Sequence, residues 1–487
     1  MTPTTRRLFV CAAVLAASPA PAFGQSGNLA CFARGSAPAK IAACTQTLAD
    51  PALPPATRAL ALLARADAYV AGGDTTKALA DYDAALAIDP DAAGYIARAK
   101  LHAARGEAQL AEADYSAALS QDAVNAGAFL GRAKLRLARS ADAEALADLG
   151  EARRLAPTNT EAQSLLAATQ LKAGQSGAAA AAFSATLSGN ATANTDQGAA
   201  LRGRATASAR AGDFKAAVAD FTGALKLNRD DIAALEGRGM AQLQSGGFSA
   251  AIADFSALLA LRPDDPAPLF FRAAAKLQAG DANAAADYTT FLAARPGDVE
   301  ALMGRALSFQ FAGNFAAADA DLSAILTSHP DAAQAMAARA LVRFMRADFS
   351  GAVADLTAAL SQPNAPAHLA LWRFVAQARA GDGNATASLA KTAPRGPWPG
   401  PVSAYFLSQL SGDDLLAAAV REPASAPGRL CEAYFYLGEA ALLQNDTSEA
   451  VKLFRAARET GMTRYAEYAA AKAELERLDT RLNGNKK

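Results

Sequence analysis

An arginine recurs along this sequence at Arg65, Arg98, Arg132, Arg204, Arg238, Arg272, Arg305, Arg339 and Arg373. The steps are mostly 34 residues, two are 33, and one gap of 72 holds a unit in which Leu166 stands for the arginine. Sixteen residues after seven of them comes an aspartate: Asp81, Asp114, Asp148, Asp220, Asp254, Asp321 and Asp355. Asp287 follows Arg272 by fifteen, in a unit shortened by one. Two chemistries are open to such a set. A ladder of guanidinium groups could grip an acidic ligand, or each arginine could hold its own aspartate within a unit. The covariation favours the internal pair, because the unit led by Leu166 has also lost the acid and carries Ala182 there. Arg373 is followed by Leu389 at that place, so its unit is expected to be irregular.

Nothing else in the chain has the spacing of a catalytic centre. His102, His329 and His368 are far apart, fall at unlike positions in their units, and lack a second ligand at metal spacing. The nucleophile-elbow, zinc-protease and phosphate-loop motifs are missing from the sequence. The expectation is therefore no enzyme, no cofactor and no metal. Asn190, Asn384 and Asn445 open glycosylation sequons, a three-residue pattern that chance supplies readily.

Composition narrows the partners. Lys+Arg and Asp+Glu are equal at 47 each, so no global field draws nucleic acid or an anionic membrane. No apolar run approaches the roughly 20 residues that span a bilayer. Proteins or peptides remain as partners, with the oligomeric state open.

The start of the chain has the parts of an export signal. Arg6 and Arg7 form a basic opening, Leu8 to Ala17 a short apolar stretch, and Ala20-Pro21-Ala22 or Ala22-Phe23-Gly24 a small-residue cleavage site. Arg6-Arg7 also resembles the twin-arginine export motif, and ordinary secretion is the competing reading. Either places the mature protein in the periplasm or outside the cell. There an oxidising environment suits a local Cys31–Cys44 disulfide, leaving Cys431 as a small buried apolar residue.

The elements that must carry these residues follow from the same period. Eight residues after most of the arginines comes a glycine: Gly73, Gly106, Gly212, Gly246, Gly280, Gly313 and Gly381, with Gly174 in the Leu166 unit. Glycine suits the left-handed residue that ends a helix. Five residues on stands a small side chain such as Ala78, Ala145 or Ala251, and four further an aromatic or leucine such as Tyr82, Phe221 or Leu322. Pro90, Pro157, Pro263, Pro296 and Pro330 stop the second helix. The units read as antiparallel helix pairs, about ten of them over residues 59–394, with a short insertion near Gly189 to Gly198.

This pattern of small residues, turn glycine, aromatic and terminal proline resembles the tetratricopeptide repeat family. The early tryptophan and leucine of the family are mostly replaced here, by arginine or smaller residues. The resemblance implies an all-α solenoid, a right-handed superhelix of antiparallel helix pairs whose concave wall comes from the first helices.

Around this block the chain divides further: residues 1–24 as signal peptide, 25–58 as an N-terminal cap, 395–430 as a Pro-rich bend with a short helix pair. Residues 431–482 hold a final repeat and a capping helix with its charges outward, and 483–487 a tail. Trp398, Cys431-Glu432, Phe435-Tyr436-Leu437-Gly438 and Ala473-Glu474-Leu475 resemble the end of NlpI-like periplasmic repeat proteins. Those are envelope adaptors, which implies cell-wall hydrolases or proteases among the partners. They are lipoproteins, and this sequence has no lipid-attachment cysteine of that kind.

By the alignment, first-helix positions that would line the concave wall are mixed in the early repeats, with Leu63, Lys100 and Lys134 among them. From residue 269 on they turn apolar: Phe270, Met303, Leu307, Phe311, Leu341, Phe344 and Met345. Two readings stand. These residues form a groove for a partner helix or extended peptide, or they pack between adjacent repeats. The functional expectation is an exported adaptor for envelope proteins; the alternative is a structural subunit of an export or polysaccharide-secretion assembly.

Overall fold

A computed structural model describes residues 27–188, 194–281 and 283–484. Residues 1–24, read in the sequence as a signal peptide, lie outside the described residues. Every regular element described is a helix. The chain falls into two compact units that meet between Arg229 and Asp230.

The first unit opens with α1 (Gly27–Phe32) and α2 (Ala37–Leu48), joined by the Cys31–Cys44 disulfide. Five pairs follow. They are α3 (Pro55–Ala71) with α4 (Thr75–Ile88), α5 (Ala92–Ala104) with α6 (Ala108–Gln121), and α7 (Ala126–Ala138) with α8 (Asp142–Leu155). Then come α9 (Thr160–Lys172) with α10 (Ser176–Ser188), and α11 (Asn194–Arg210) with α12 (Phe214–Leu227). The insertion expected near Gly189 to Gly198 lies partly outside the described residues. From Asn194 on it is already helix, which makes α11 17 residues long against 13 in α5 or α7.

The second unit also starts with five pairs. These are α13 (Ile232–Gln244) with α14 (Phe248–Leu261), α15 (Ala267–Ala279) with α16 (Ala284–Ala294), and α17 (Val299–Phe311) with α18 (Phe315–Ser328). Next are α19 (Ala333–Met345) with α20 (Phe349–Leu360), and α21 (Leu369–Arg379) with the short α22 (Ala385–Thr392). After the Pro-rich bend come α23 (Gly400–Phe406), α24 (Gly412–Ala419), the pair α25 (Ala426–Leu443) and α26 (Thr447–Glu459), and finally α27 (Ala466–Gly484). The first helix of the final repeat, expected from 431, already begins at Ala426.

Local chemistry sets the helix ends. Asp91, Asn125, Asn159, Asp231 and Asp298 cap first helices by accepting a backbone N–H from the first turn. Asp74, Asp213, Asn314, Asp348 and Asp446 do the same for second helices. The turn inside each pair holds one residue with φ near +60° to +80°. Glycine fills it in most pairs, but Ser140, Ala347 and Asn445 adopt the same left-handed conformation. Adjacent pairs approach closely where the residue before the arginine is small. A Cβ on Gly131, Gly203 or Gly304 would lie 2.3–2.4 Å from the ring of Tyr115, Phe183 or Tyr288 in the preceding pair. Where that residue is Phe271, its ring stacks on Phe255 at 5.7 Å.

Candidate interaction surface

All eight arginines that have an aspartate at the repeat spacing hold it in a two-pronged bond. In Arg65–Asp81, Arg98–Asp114, Arg132–Asp148 and Arg204–Asp220, Nε and Nη2 donate to the two carboxylate oxygens at 2.7–2.9 Å. Arg238–Asp254, Arg272–Asp287, Arg305–Asp321 and Arg339–Asp355 repeat that geometry at 2.7–2.8 Å. The third nitrogen reaches the preceding repeat: Nη1 of Arg132, Arg272 and Arg339 donates to the hydroxyls of Ser116, Ser256 and Ser323. Seven of the carboxylates are buried and Asp220 is partly so, while most of the arginines keep about a fifth of their surface in solvent. Hydrogen bonding to the aspartate raises the pKa of Arg204, Arg272 and Arg339, against the opposing effect of burial. These forks are spent on their own repeats.

A second row of cations accompanies the ladder. Arg136 and Arg343 stand four residues after ladder arginines, one helical turn on. Each adds an Nη1 bond of 2.9 Å to the ladder aspartate, Asp148 or Asp355. Each also bonds an acid of the preceding second helix, Glu112 or Asp319. Lys276 takes the same place beside Asp287 at 2.9 Å. Burial pushes the Asp287 carboxyl upward, but the bonds from Arg272 and Lys276 outweigh it and hold the group below its ordinary value. The repeated spacing of Arg136 with Glu112 and of Arg343 with Asp319 was the available signal. Arg373 has no such partner. Leu389 fills the acid's place and is buried, Nη2 turns to the Thr392 hydroxyl at 2.9 Å, and Nε is buried with none.

The apolar first-helix residues separate into two groups. Phe270, Met303 and Leu307 are half-buried, and Phe311 keeps 46% of its surface exposed. Phe270 leans on Tyr288 and Phe291, with ring centres 5.8 and 5.4 Å away. Leu341 is half-buried and packs against the C-terminal core. Phe344 and Met345, grouped in the sequence with the groove residues, belong inside that core instead, at 0% and 2% exposure. Phe344 meets Phe349, Trp372 and Phe435 edge-on at 5.2 to 6.2 Å, so no partner can reach it.

The helix that closes this core is α27. Its expected role was a cap with charges outward, but Glu467 and Glu474 point inward and are buried. Besides α25 and α26 it packs on α19. Trp372 Nε1 donates to Glu467 Oε1 at 3.1 Å, and Arg379 Nη1 donates to Glu474 Oε1 at 3.1 Å and to Glu439 Oε2 at 2.6 Å. Arg477 bonds Glu474 from the other side. Burial, reinforced by the charge of Glu474, pushes the Glu439 carboxyl up to about 8. Burial and then the charge of Glu432 do the same to Glu467, also to about 8. Burial works against the charge on Arg379, yet the two carboxylates outweigh it and raise its pKa. Both arginines bond Glu474, and Arg379 also bonds Glu439, whose buried Oε1 has no partner.

Among the described residues no group of three or more His, Cys, Asp or Glu could hold a metal ion, and no helix is long and apolar enough to cross a membrane. An open cleft of about 640 Å³ lies between α23, α24 and α25, lined by Tyr405, Phe406, Leu410, Asp414 and Leu443.

With the paired helices, their ladder and their turns in place, comparison with known families gives a match. The model described as tetratricopeptide repeat fits residues 202–266, 236–298, 303–368 and 415–465. These are tetratricopeptide repeats. Tetratricopeptide chains are scaffolds for protein–protein interaction, built by stacking units that bury their apolar faces on one another. Among solved structures, a tetratricopeptide repeat protein from Parabacteroides merdae is 19% identical and covers 52% of this chain and 98% of its own, with a TM-score of 0.38. The C-terminal part of a tetratricopeptide repeat-containing protein from Cytophaga hutchinsonii is 17% identical over 48% and 94% of the two chains, TM-score 0.40. PilW, a type IV pilus biogenesis factor, is 19% identical over 43% and 96%, TM-score 0.36. No curated protein matches the chain.

Proposed function

We propose that this tetratricopeptide chain is an exported scaffold that binds and positions proteins of the cell envelope. The observation that carries the binding reading is Phe311, a ring left nearly half exposed in a row with half-buried Phe270, Met303 and Leu307 on successive first helices. Exposed apolar area of this kind is expensive to leave in water and suits a partner's apolar side chains. The ion pairs do not compete for this role, since each is satisfied inside the solenoid.

Export is supported by the basic and apolar stretches of Arg6 to Ala17 and by the joined Cys31 and Cys44, a bond suited to an oxidising compartment. The resemblance of the C-terminal part to NlpI-like proteins makes cell-wall hydrolases and proteases the partners to look for first.

The test is affinity capture from an envelope fraction, comparing the chain with its Leu307→Asp/Phe311→Asp variant and reading both by mass spectrometry. Hydrolases or proteases held by the first and lost by the second support the reading. A fixed set of secretion components captured equally by both would replace it with a structural subunit of a secretion assembly.

A further inference from the structure

Gln278, Phe311 and Met345 each stand six residues after a ladder arginine, so they are one position in three consecutive repeats. All lie at the end of a first helix, where carbonyls lack helical partners and carry the partial negative charge of the helix terminus. Two of the three carbonyls are taken by arginines from the end of the chain. Arg464 Nη2 donates to the carbonyl of Gln278, and Arg477 Nη1 donates to that of Met345. Between them, the carbonyl of Phe311 accepts from no side chain among the described residues, and the ring beside it is exposed.

The apolar part follows the same rule. Leu341 and Met345 sit one turn apart on α19 and pack in the core that Leu475 and Leu478 of α27 complete. Leu307 and Phe311 are their equivalents on α17, and they stay half-buried and exposed. The C-terminal segment thus shows what this surface accepts: an arginine on the helix-end carbonyl at both places, and apolar side chains on Leu341 and Met345 at the second. One place in the row is open, with occupied places on either side.

We propose that the surface at Leu307 and Phe311 binds a basic amphipathic segment of a partner protein, with an arginine on the Phe311 carbonyl and an apolar side chain over the ring. This rests on the scaffold reading and adds the chemistry of the partner. An acidic segment would be repelled by the negative ends of the same helices, and the forks that could have held it are closed by aspartates.

The probe is a synthetic peptide copying residues 460–484 of this chain, added to the full chain and followed by fluorescence anisotropy and amide hydrogen exchange. Binding should slow exchange around residues 303–313. Replacing all three peptide arginines (Arg464→Gln, Arg477→Gln and Arg481→Gln) should weaken binding about tenfold or more, the loss of a charged hydrogen bond. Phe311→Asp in the chain should do the same while leaving its melting temperature unchanged. Failure of the parent peptide to bind, equal binding of the two, or binding indifferent to Phe311→Asp overturns the proposal. So does a dimer in sedimentation that Phe311→Asp dissociates, because the surface then belongs to a second copy. If envelope partners are lost with Leu307→Asp/Phe311→Asp while the peptides bind equally, the scaffold reading stands and the arginine rule falls.

Discussion

Phe311 and Met345 occupy the same position in neighbouring repeats, yet Met345 is 2% exposed and Phe311 46%. The difference comes from α27, which lies over α19 and brings Arg477 to the Met345 carbonyl. Identical positions in a repeat therefore carry different duties, and substitutions at them should separate.

Met345→Ala should lower stability by about 2–5 kcal/mol, the range for removing a buried methionine side chain and leaving a cavity. Phe311→Ala should stay within about 0.5 kcal/mol of the parent, as surface changes do, while reducing partner capture. Urea titrations of both variants beside the capture experiment check this.

The ladder should be costly to break from the acid side. Asp321 is buried and Arg305 is not fully so, which leaves the arginine some water when its partner is lost. Asp321→Ala should cost about 3 kcal/mol, the lower end for a broken buried pair. A loss of only 0.2–1 kcal/mol, the value for an exposed pair, would show the fork to be hydrated. Either result is read from denaturant melts.

Ala347 holds a left-handed turn at φ +63° where most repeats have glycine. Ala347→Gly should stabilise the second unit by about 1 kcal/mol, since a Cβ costs that much in this conformation. Ser140→Gly should act similarly on the first unit. A fall in melting temperature for both would mean that the side chains contribute more than the turn strain removes.

The C-terminal core should weaken as pH rises. Glu439 and Glu467 hold protons more tightly folded, at about 8, than the ordinary value of 4.5. The folded state then binds more protons between those values, so its stability is greatest below about 4.5, falls as pH rises toward 8, and levels off above. Trp372 donates to Glu467, which makes tryptophan fluorescence a local reporter of melting. Glu439→Gln should flatten the profile, and an unchanged slope would count against burial of a titrating acid.

Much of this protein was legible in the sequence because a repeat states its rules many times over. The arginine spacing, the turn glycines and the joint replacement of arginine and aspartate by Leu166 and Ala182 determined helix pairs and an internal ion pair. The left-handed turns at Ser140, Ala347 and Asn445 were less visible, since packing of the two helices imposes the turn whatever residue fills it. Only the tertiary structure decided which apolar positions face water. A helical period says which side of α19 is apolar, but it does not say what covers that side. The cover is α27, more than a hundred residues away in sequence, and non-local contacts of this kind leave no mark in a local pattern. The inward turn of Glu467 and Glu474 has the same cause: their partners, Trp372 and Arg379, lie 95 residues upstream.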